Sequence, residues 1–185
     1  GATLFQRKLC GAAWVHSKAS KTVMFGESSG SISRTVCTTK PPVFSPQSKF
    51  ELKDAIDEYL RLSPEGSEGL YGPIGEWDVS RVTDMSELFF DSISFSADIS
   101  KWDVSRVTDM SKMFFSAMSF NGDISKWDVS KVIKMNYMFW QATSFKQQLC
   151  RAPWVNSKAS KIEMFTGSSG AVCTVTFASR STFTS

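Results

Sequence analysis

The chain repeats itself at a fixed interval. The segment WDVSRVTDMS stands at residues 77–86 and again, letter for letter, at 102–111, and a looser copy, WDVSKVIKMN, begins at Trp127. The three copies therefore start at equal intervals along the chain. Self-similarity at a period of this size is typical of solenoids, in which each unit buries its apolar side only against its neighbours. We therefore predict that the three segments occupy equivalent places in successive turns.

Within one unit, the apolar residues change their spacing. Trp77 and Val79 alternate with polar residues, which favours a short extended stretch with one buried face. The apolar residues that follow fall at helical spacing, and Asp84 or Ser86 is available as the N-cap of a short helical turn. Stacked units would place two columns of side chains in the core, namely Met85, Met110 and Met135, and Phe89, Phe114 and Phe139.

The clearest helix lies just upstream of the units, in SKFELKDAIDEYLRLSP. Ser48 and Glu51 form an S-x-x-E capping box, and Pro64 ends the pattern. Five apolar residues form one stripe: Leu52, Ala55, Ile56, Tyr59 and Leu60. The open end of a solenoid requires a cover of this kind, so we predict an N-terminal helical cap.

The two ends of the chain form a longer repeat. Residues 5–30 match residues 145–170 without a gap. Both keep the Trp and the Met-Phe pair of a unit, so we interpret both as C-terminal caps and the chain as a fragment of a tandem array. The predicted divisions are a cap of a preceding module at 1–40, a linker and helical cap at 41–76, three 25-residue repeats at 77–147, a C-terminal cap at 148–177, and a tail or the start of a further module at 178–185.

Cysteines occur only in the two predicted C-terminal caps. Each cap holds two, and the repeats at 77–147 hold none. This is the pattern of staples on exposed solenoid ends, so we predict that Cys10 pairs with Cys37 and Cys150 with Cys173. Disulfides would indicate an oxidising compartment, whereas four free thiols would favour an intracellular protein.

The charge distribution limits the partners. Residues 1–40 carry six Lys or Arg against one acid, residues 41–145 carry ten against sixteen, and residues 146–185 carry five against one. A nucleic-acid binder concentrates basic and stacking aromatic residues on one face, but the aromatic-rich middle here is net acidic. No run of 18 apolar residues is present. We therefore expect a protein partner or end-to-end self-association, no nucleic acid and no membrane insertion.

No residue pattern points to catalysis, to a cofactor or to a metal. The only histidine, His16, has Asn156 as its counterpart in the second cap, which supports neither acid–base work nor a multi-histidine site. Asp78, Asp103 and Asp128 form a column that could bind calcium through oxygen ligands. Turn capping, with a basic residue three positions on, is the favoured alternative because no glycine-rich calcium repeat is present. We expect a protein that is not an enzyme.

The 25-residue unit resembles that of the BspA-like leucine-rich-repeat surface proteins of mycoplasma and algal type, W-D-V-S-x-V-T-D-M-S-x-M-F-x-x-A-x-x-F-N-x-D-I-S. Residues 102–126 keep nearly all of this pattern, and the third unit departs from it at Ile133, Lys134 and Asn136. The resemblance implies a leucine-rich-repeat-like solenoid, outside the cell or on its surface, that serves adhesion or protein binding. With the features above, the predicted fold class is such a solenoid, with a short strand and a helical turn in each unit, a helical N-terminal cap and disulfide-stapled C-terminal caps.

Phe90, Phe115 and Trp140 are the candidate partner-binding residues. Each follows a core aromatic residue, and on a helical turn the next residue is rotated by about 100°, so that it points largely outward. Three aromatic side chains in one exposed column would form an apolar stripe of the kind that marks an interaction site. In the alternative arrangement they pack along the flank under the loops.

Two functions remain open. The first is a secreted or cell-surface structural or adhesive repeat protein that binds by surface contact. The second is an accessory or linker subunit inside an intracellular assembly, which would use the same repeats as a rigid spacer. The state of the cysteines distinguishes the two.

Overall fold

A computed structural model of the protein describes residues 8–9, 31–32, 43–62 and 71–174. The chain divides into two compact parts, Gly1–Pro42 and Val43–Ser185. In the first part, strands β1 (Lys8–Leu9) and β2 (Ser31–Ile32) form a parallel pair in which Lys8 lies opposite Ser31. The predicted Cys10–Cys37 disulfide and His16 lie outside the described residues.

The second part begins with helix α1 (Lys49–Leu62), followed by a 3₁₀ helix (Ile74–Glu76). Beyond the repeats come strand β3 (Gln148–Leu149), helix α2 (Ala152–Val155) and strand β4 (Ala171–Val172). Strands β3 and β4 pair in parallel, with Gln148 opposite Ala171. These two residues are the counterparts of Lys8 and Ser31 in the long repeat, so both copies of that repeat form the same strand pair.

Helix α1 begins where its capping residues predict. The Ser48 hydroxyl oxygen accepts a hydrogen bond from the Glu51 N–H at 3.2 Å, while the Glu51 carboxylate accepts one from the Gln47 N–H at 2.8 Å. These bonds satisfy donors that the first turn of a helix leaves free. Four residues of the predicted stripe are buried, namely Leu52, Ala55, Ile56 and Tyr59, and Leu60 is half-buried against them. The helix therefore covers part of the core with one face.

The repeat units contain neither a strand nor a helix. Residues 77–147 are built from turns, and their β pairings are single parallel bridges. The predicted fold class, a leucine-rich-repeat-like solenoid with a short strand and a helical turn in each unit, is therefore wrong. In the described part of the chain the α-helices are α1 and α2, and the paired strands all lie outside residues 77–147. The bridges join Asp84 to Asp109, Asp109 to Lys134, and Lys134 to Ser160.

A row of four backbone hydrogen bonds that all run in one direction joins each unit to the next, while bonds on either side of the row, such as that from the Thr108 N–H to the Thr83 carbonyl, run back. Four N–H groups at alternate residues of a unit donate to four carbonyls of the following unit, at 2.8–3.0 Å. In the first unit the donors are Met85, Glu87, Phe89 and Asp91, and the acceptors are Asp109, Ser111, Met113 and Phe115. The second and third units repeat this pattern, and the third donates to residues 160–166.

Left-handed residues explain why the helical spacing does not produce a helix. Glu87 and Asp91 have φ of 61° and 53°, and their equivalents in the second unit, Lys112 and Ser116, have φ of 55° each. A right-handed helix needs consecutive negative φ and directs each N–H to the carbonyl four residues back. Here the left-handed residues interrupt that pattern, and alternate N–H groups bond the neighbouring unit instead.

Replacing a left-handed serine with glycine is expected to stabilise the protein. A non-glycine residue in this conformation costs roughly 1–2 kcal/mol, part of which glycine loses again through the entropy of the unfolded chain. We expect Ser116→Gly to raise the free energy of unfolding by roughly 0.5–1 kcal/mol. Ser119→Gly is the control, because Ser119 does not have positive φ. Urea denaturation that shows both variants to be equally destabilised would contradict the assigned conformation.

The core consists of aromatic and methionine columns that cross the units. Phe89, Phe114 and Phe139 stack with ring centroids 5.3 and 5.4 Å apart and nearly parallel planes. A second column of phenylalanines lies against this one, and ring pairs within a unit are 3.9–4.0 Å apart. The second column is Phe95, Phe120 and Phe145, and the fully buried methionines include Met85, Met110 and Met135. Burial of these side chains holds the turn-built units together.

Trp102 and Trp127 each open a unit and bond back, across the whole preceding unit, to the residues just before that unit. The indole N–H of Trp127 donates to the Ile99 carbonyl at 3.3 Å, and that of Trp102 donates to the Ile74 carbonyl at 2.8 Å. Ile74 thus stands in the place of a unit's isoleucine, as the match between PIGEW and DISKW indicates. A Cβ on Gly75 would lie 2.3 Å from the Asp98 carbonyl oxygen, so only glycine allows this approach.

Candidate partner-binding surface

Phe90, Phe115 and Trp140 form one stacked column on the surface, which we call the aromatic stripe. The ring centroids of Phe90 and Phe115 are 4.8 Å apart with planes at 9°, and those of Phe115 and Trp140 are 4.4 Å apart at 14°. Phe90 is 38% exposed, and the other two are half-buried. The stripe therefore combines rigid stacking with an accessible apolar face, while its role in partner binding stays a prediction.

The backbone of each unit decides which aromatic residue points outward. The Phe89 N–H bonds to the Met113 carbonyl at 2.9 Å, and its ring turns into the core, where it is fully buried. The Phe90 N–H instead closes a turn to the Glu87 carbonyl at 3.2 Å, and the left-handed Asp91 then redirects the chain. The same pair of turns recurs in each unit, which places the three outer aromatic residues in register.

Two further exposed apolar residues follow the stripe residues at an interval of three, and sequence reasoning missed them. Ile93 is 58% exposed and Met118 is 41% exposed, and their backbones meet because the Ser119 N–H donates to the Ile93 carbonyl at 3.0 Å. The third unit has Thr143 at this place. The recurrence of an apolar residue three positions after Phe90 and Phe115 was the available signal.

Charged side chains flank the columns. The Lys112 amine in the second unit lies 3.3 Å from the Glu87 carboxylate in the first. Both residues have the left-handed conformation described above. Asp84 and Asp109 occupy equivalent places in the first two units, and a lysine pairs with each of them. The Lys49 amine is 3.4 Å from the Asp84 carboxylate, and the Lys134 amine is 3.4 Å from the Asp109 carboxylate. Pairs as exposed as these contribute little to the stability of the fold.

The aspartate columns cap turns. Asp78, Asp103 and Asp128 each accept a hydrogen bond from the N–H of the serine two residues on, at 3.0–3.2 Å. Asp98 and Asp123 do the same at 2.9 Å. Among the described residues no group of three or more His, Cys, Asp or Glu side chains is arranged to hold a metal ion. The geometry is that of Asx turns, in which the carboxylate replaces a backbone acceptor.

The turn hydrogen bonds change how the aspartates titrate. For Asp78, Asp98 and Asp128 the hydroxyl and then the backbone N–H of the following serine hold the pKa below its usual 3.8. For Asp123 the backbone N–H of Ser125 is the larger cause of a pKa below 3.8. Carboxylates with a lowered pKa in the folded state stabilise it above the unfolded value and lose that contribution as the pH falls through the folded value.

Acid is therefore expected to destabilise the protein below about pH 4. The variant Asp98→Asn/Asp123→Asn keeps an oxygen that can accept the turn hydrogen bond but does not titrate. We expect its free energy of unfolding to fall less steeply than that of the wild type between about pH 4 and pH 2. Urea denaturation at pH 7, 4, 3 and 2 checks this, and parallel pH profiles would contradict the assigned hydrogen bonds.

The cysteines of the second part are joined. Cys150 and Cys173 form a disulfide next to the β3–β4 pair, with Cα atoms 4.7 Å apart. The bond closes the segment that follows the third unit, as the position of these cysteines in the sequence predicts. In the described part of the chain no helix has both the length and the apolar character needed to cross a bilayer.

A protein-family model matches the region that contains these features. The family is described as Mycoplasma protein of unknown function, DUF285, and the match covers residues 64–174. It therefore includes the three repeat units, the aromatic stripe and the Cys150–Cys173 disulfide. No curated protein and no solved structure matches the chain.

Proposed function

We propose that this chain, which belongs to the family of Mycoplasma proteins of unknown function DUF285, is a non-enzymatic secreted or cell-surface protein that binds another protein through its aromatic stripe. The observation that carries the proposal is the stacking of Phe90, Phe115 and Trp140 at 4.4–4.8 Å on an accessible face. Aromatic side chains held rigid before binding lose little entropy in a complex, which is why they dominate many interfaces.

The surroundings of the stripe support a protein partner. Ile93 and Met118 add exposed apolar area three residues after Phe90 and Phe115, in the same two units. Asp91 is exposed at the first unit's end of the stripe, whereas the neighbouring Glu87 pairs with Lys112. A partner with an apolar segment and a basic residue next to it would match this combination of apolar area and negative charge.

A location outside the cell is supported by the Cys150–Cys173 disulfide and by the resemblance of the unit to BspA-like surface proteins. Disulfides persist in oxidising compartments and are rare in the cytosol. The disulfide thus favours the secreted or surface protein over the intracellular linker subunit. The exposed aspartates of the units are engaged in turns, which supports a structural use of the carboxylates and no catalytic one.

Removing the stripe is expected to abolish binding while the fold persists. The variant Phe90→Ser/Phe115→Ser/Trp140→Ser loses two ring contacts, which lowers stability by roughly 1–3 kcal/mol. Beads carrying the wild type should retain one or more proteins from serum or an extracellular-matrix extract, and beads carrying this variant should not. The control variant Phe50→Ser/Ile133→Ser removes two residues that are 74% and 64% exposed elsewhere. Equal retention by all three proteins would refute the proposal.

A further inference from the structure

In the segment after the third unit, four backbone N–H groups have no hydrogen-bond acceptor among the described residues. The donors are the N–H groups of Lys161, Glu163, Phe165 and Gly167. Their equivalents in the third unit are Met135, Tyr137, Phe139 and Gln141. The N–H groups of those four residues donate to carbonyls of residues 160–166 at 2.8 Å. Within the described part of the chain, the array therefore stops with its inter-unit hydrogen-bonding edge unpaired, and we call residues 160–167 the open edge.

The open edge has the backbone conformation of a paired one. Glu163 and Gly167 have φ of 47° and 78°, and their equivalents in the third unit, Tyr137 and Gln141, have φ of 58° and 55°. Four N–H groups at alternate residues are thus held ready in the arrangement that binds carbonyls at each internal junction. An incoming chain would not have to reorganise this edge, which lowers the cost of binding.

The aromatic column of the core also ends at this edge. Phe165 stacks on Phe139 at 5.5 Å and on Phe145 at 6.3 Å, but it is half-buried, whereas Phe114 and Phe139 are fully buried. The difference arises because no described ring follows Phe165 in the column. One face of an aromatic ring is accordingly open next to the row of donors.

The direction of the hydrogen bonds restricts what can cover the edge. Two copies of the chain cannot pair through this edge, because donors would face donors. At the opposite end of the array, α1 covers the first unit: Leu52, Ala55 and Ile56 belong to the same buried cluster as Met85 and Leu88, and Lys49 lies 3.4 Å from Asp84. A head-to-tail copy would therefore have to displace α1 before its N–H groups could reach the carbonyls of the first unit. The occupant must be an extended segment that offers its own carbonyls.

We propose that residues 160–167 form a second binding site, which takes up an extended segment of a partner protein in parallel orientation. The segment supplies carbonyls at alternate residues to the four N–H groups, and its aromatic residue stacks on Phe165. The internal junctions indicate what sequence such a segment would have. At each of them a Met-Phe pair packs against the preceding unit, as in DMSKMFF at 109–115. Addition of a strand-like segment to an open edge is a general mode of peptide recognition. None of these residues belongs to the aromatic stripe, so the two proposals can be tested independently.

The test uses the whole chain, labelled with ¹⁵N, and an acetylated and amidated peptide of sequence DMSKMFFS, with a scrambled peptide as control. In the free protein, the amides of Lys161, Glu163, Phe165 and Gly167 should exchange with solvent faster than those of Met135, Tyr137, Phe139 and Gln141. The peptide should slow the exchange of the first four by about tenfold or more and shift their resonances, whereas the scrambled peptide should not.

Two variants make the result specific. Phe165→Ala should weaken peptide binding, and Phe50→Ala, which alters an aromatic residue 74% exposed on α1, should not. Slow exchange of the third-unit amides in Phe165→Ala reports that the fold is kept. The stripe variant should still bind the peptide, which separates this proposal from the proposed function. The proposal is overturned if the four amides already exchange slowly in the free protein, or if the peptide leaves them unchanged.

Discussion

Phe114→Ala is expected to cost the protein about 3–5 kcal/mol of unfolding free energy. The Phe114 ring is fully buried and stacks on Phe89 at 5.3 Å, on Phe139 at 5.4 Å and on Phe120 at 4.0 Å. Its removal leaves a cavity in the middle of both aromatic columns, and the units are joined by backbone bonds that limit collapse. Thermal denaturation should show a midpoint lowered by roughly 10 °C or more.

The matched control is Phe50→Ala on the outer face of α1. Phe50 is 74% exposed, so we expect its removal to change the free energy of unfolding by no more than about 0.5 kcal/mol. A loss below about 1 kcal/mol for Phe114→Ala would mean that the ring is not packed in the column. In that case the inter-unit contacts given by the stacked phenylalanines would be wrong.

Removing the Cys150–Cys173 disulfide is expected to cost about 3 kcal/mol. The bond links residues separated by 23 positions and closes the loop that holds α2, the open edge and β4. In the chain-entropy account, the double variant Cys150→Ser/Cys173→Ser gains freedom chiefly in the unfolded state. Denaturant titration of the oxidised wild type and the variant measures the difference.

A reducing agent provides the internal control for this prediction. Dithiothreitol should weaken the β3–β4 region of the wild type and leave that region unchanged in the double variant. Peptide mapping by mass spectrometry without reduction should recover residues 150 and 173 in one cross-linked fragment. Recovery of both as free thiols would contradict the bond and would also remove the main support for a location outside the cell.

Local patterns in the sequence were enough to predict several elements. The Ser48 capping box and the apolar stripe predict a helix that is present as Lys49–Leu62, because capping and amphipathicity act within a few turns. The short period predicts the columns of Met85 and Phe89 with their equivalents, since identical residues at a fixed interval can share a core only by occupying equivalent places. The match between the two ends of the chain reappears in the registers of the two strand pairs.

The candidate site was predicted only in part. Counting along the unit identifies Phe90, Phe115 and Trp140 as a column beside the core, but that prediction assumed a helical turn that the chain does not form. The outward direction instead follows from the turn at Phe90 and the left-handed Asp91. Ile93 and Met118 were missed although an apolar residue recurs three positions after Phe90 and Phe115, because that recurrence alone does not separate an exposed apolar residue from a buried one.

The sequence by itself determined which residues repeat, which of them enter the core and where α1 begins. Only the tertiary structure decided how the backbone of a unit runs. Met85, Leu88 and Phe89 have the spacing of a helix, and no glycine marks Glu87 or Asp91 as left-handed. The left-handed conformation is unfavourable for either residue alone. It is adopted because it turns four N–H groups towards the next unit, where they bond at 2.8–3.0 Å, and because it stacks the phenylalanines between units. Those partners belong to the following unit, as Asp109 does for Met85, and no local pattern reaches that far along the chain.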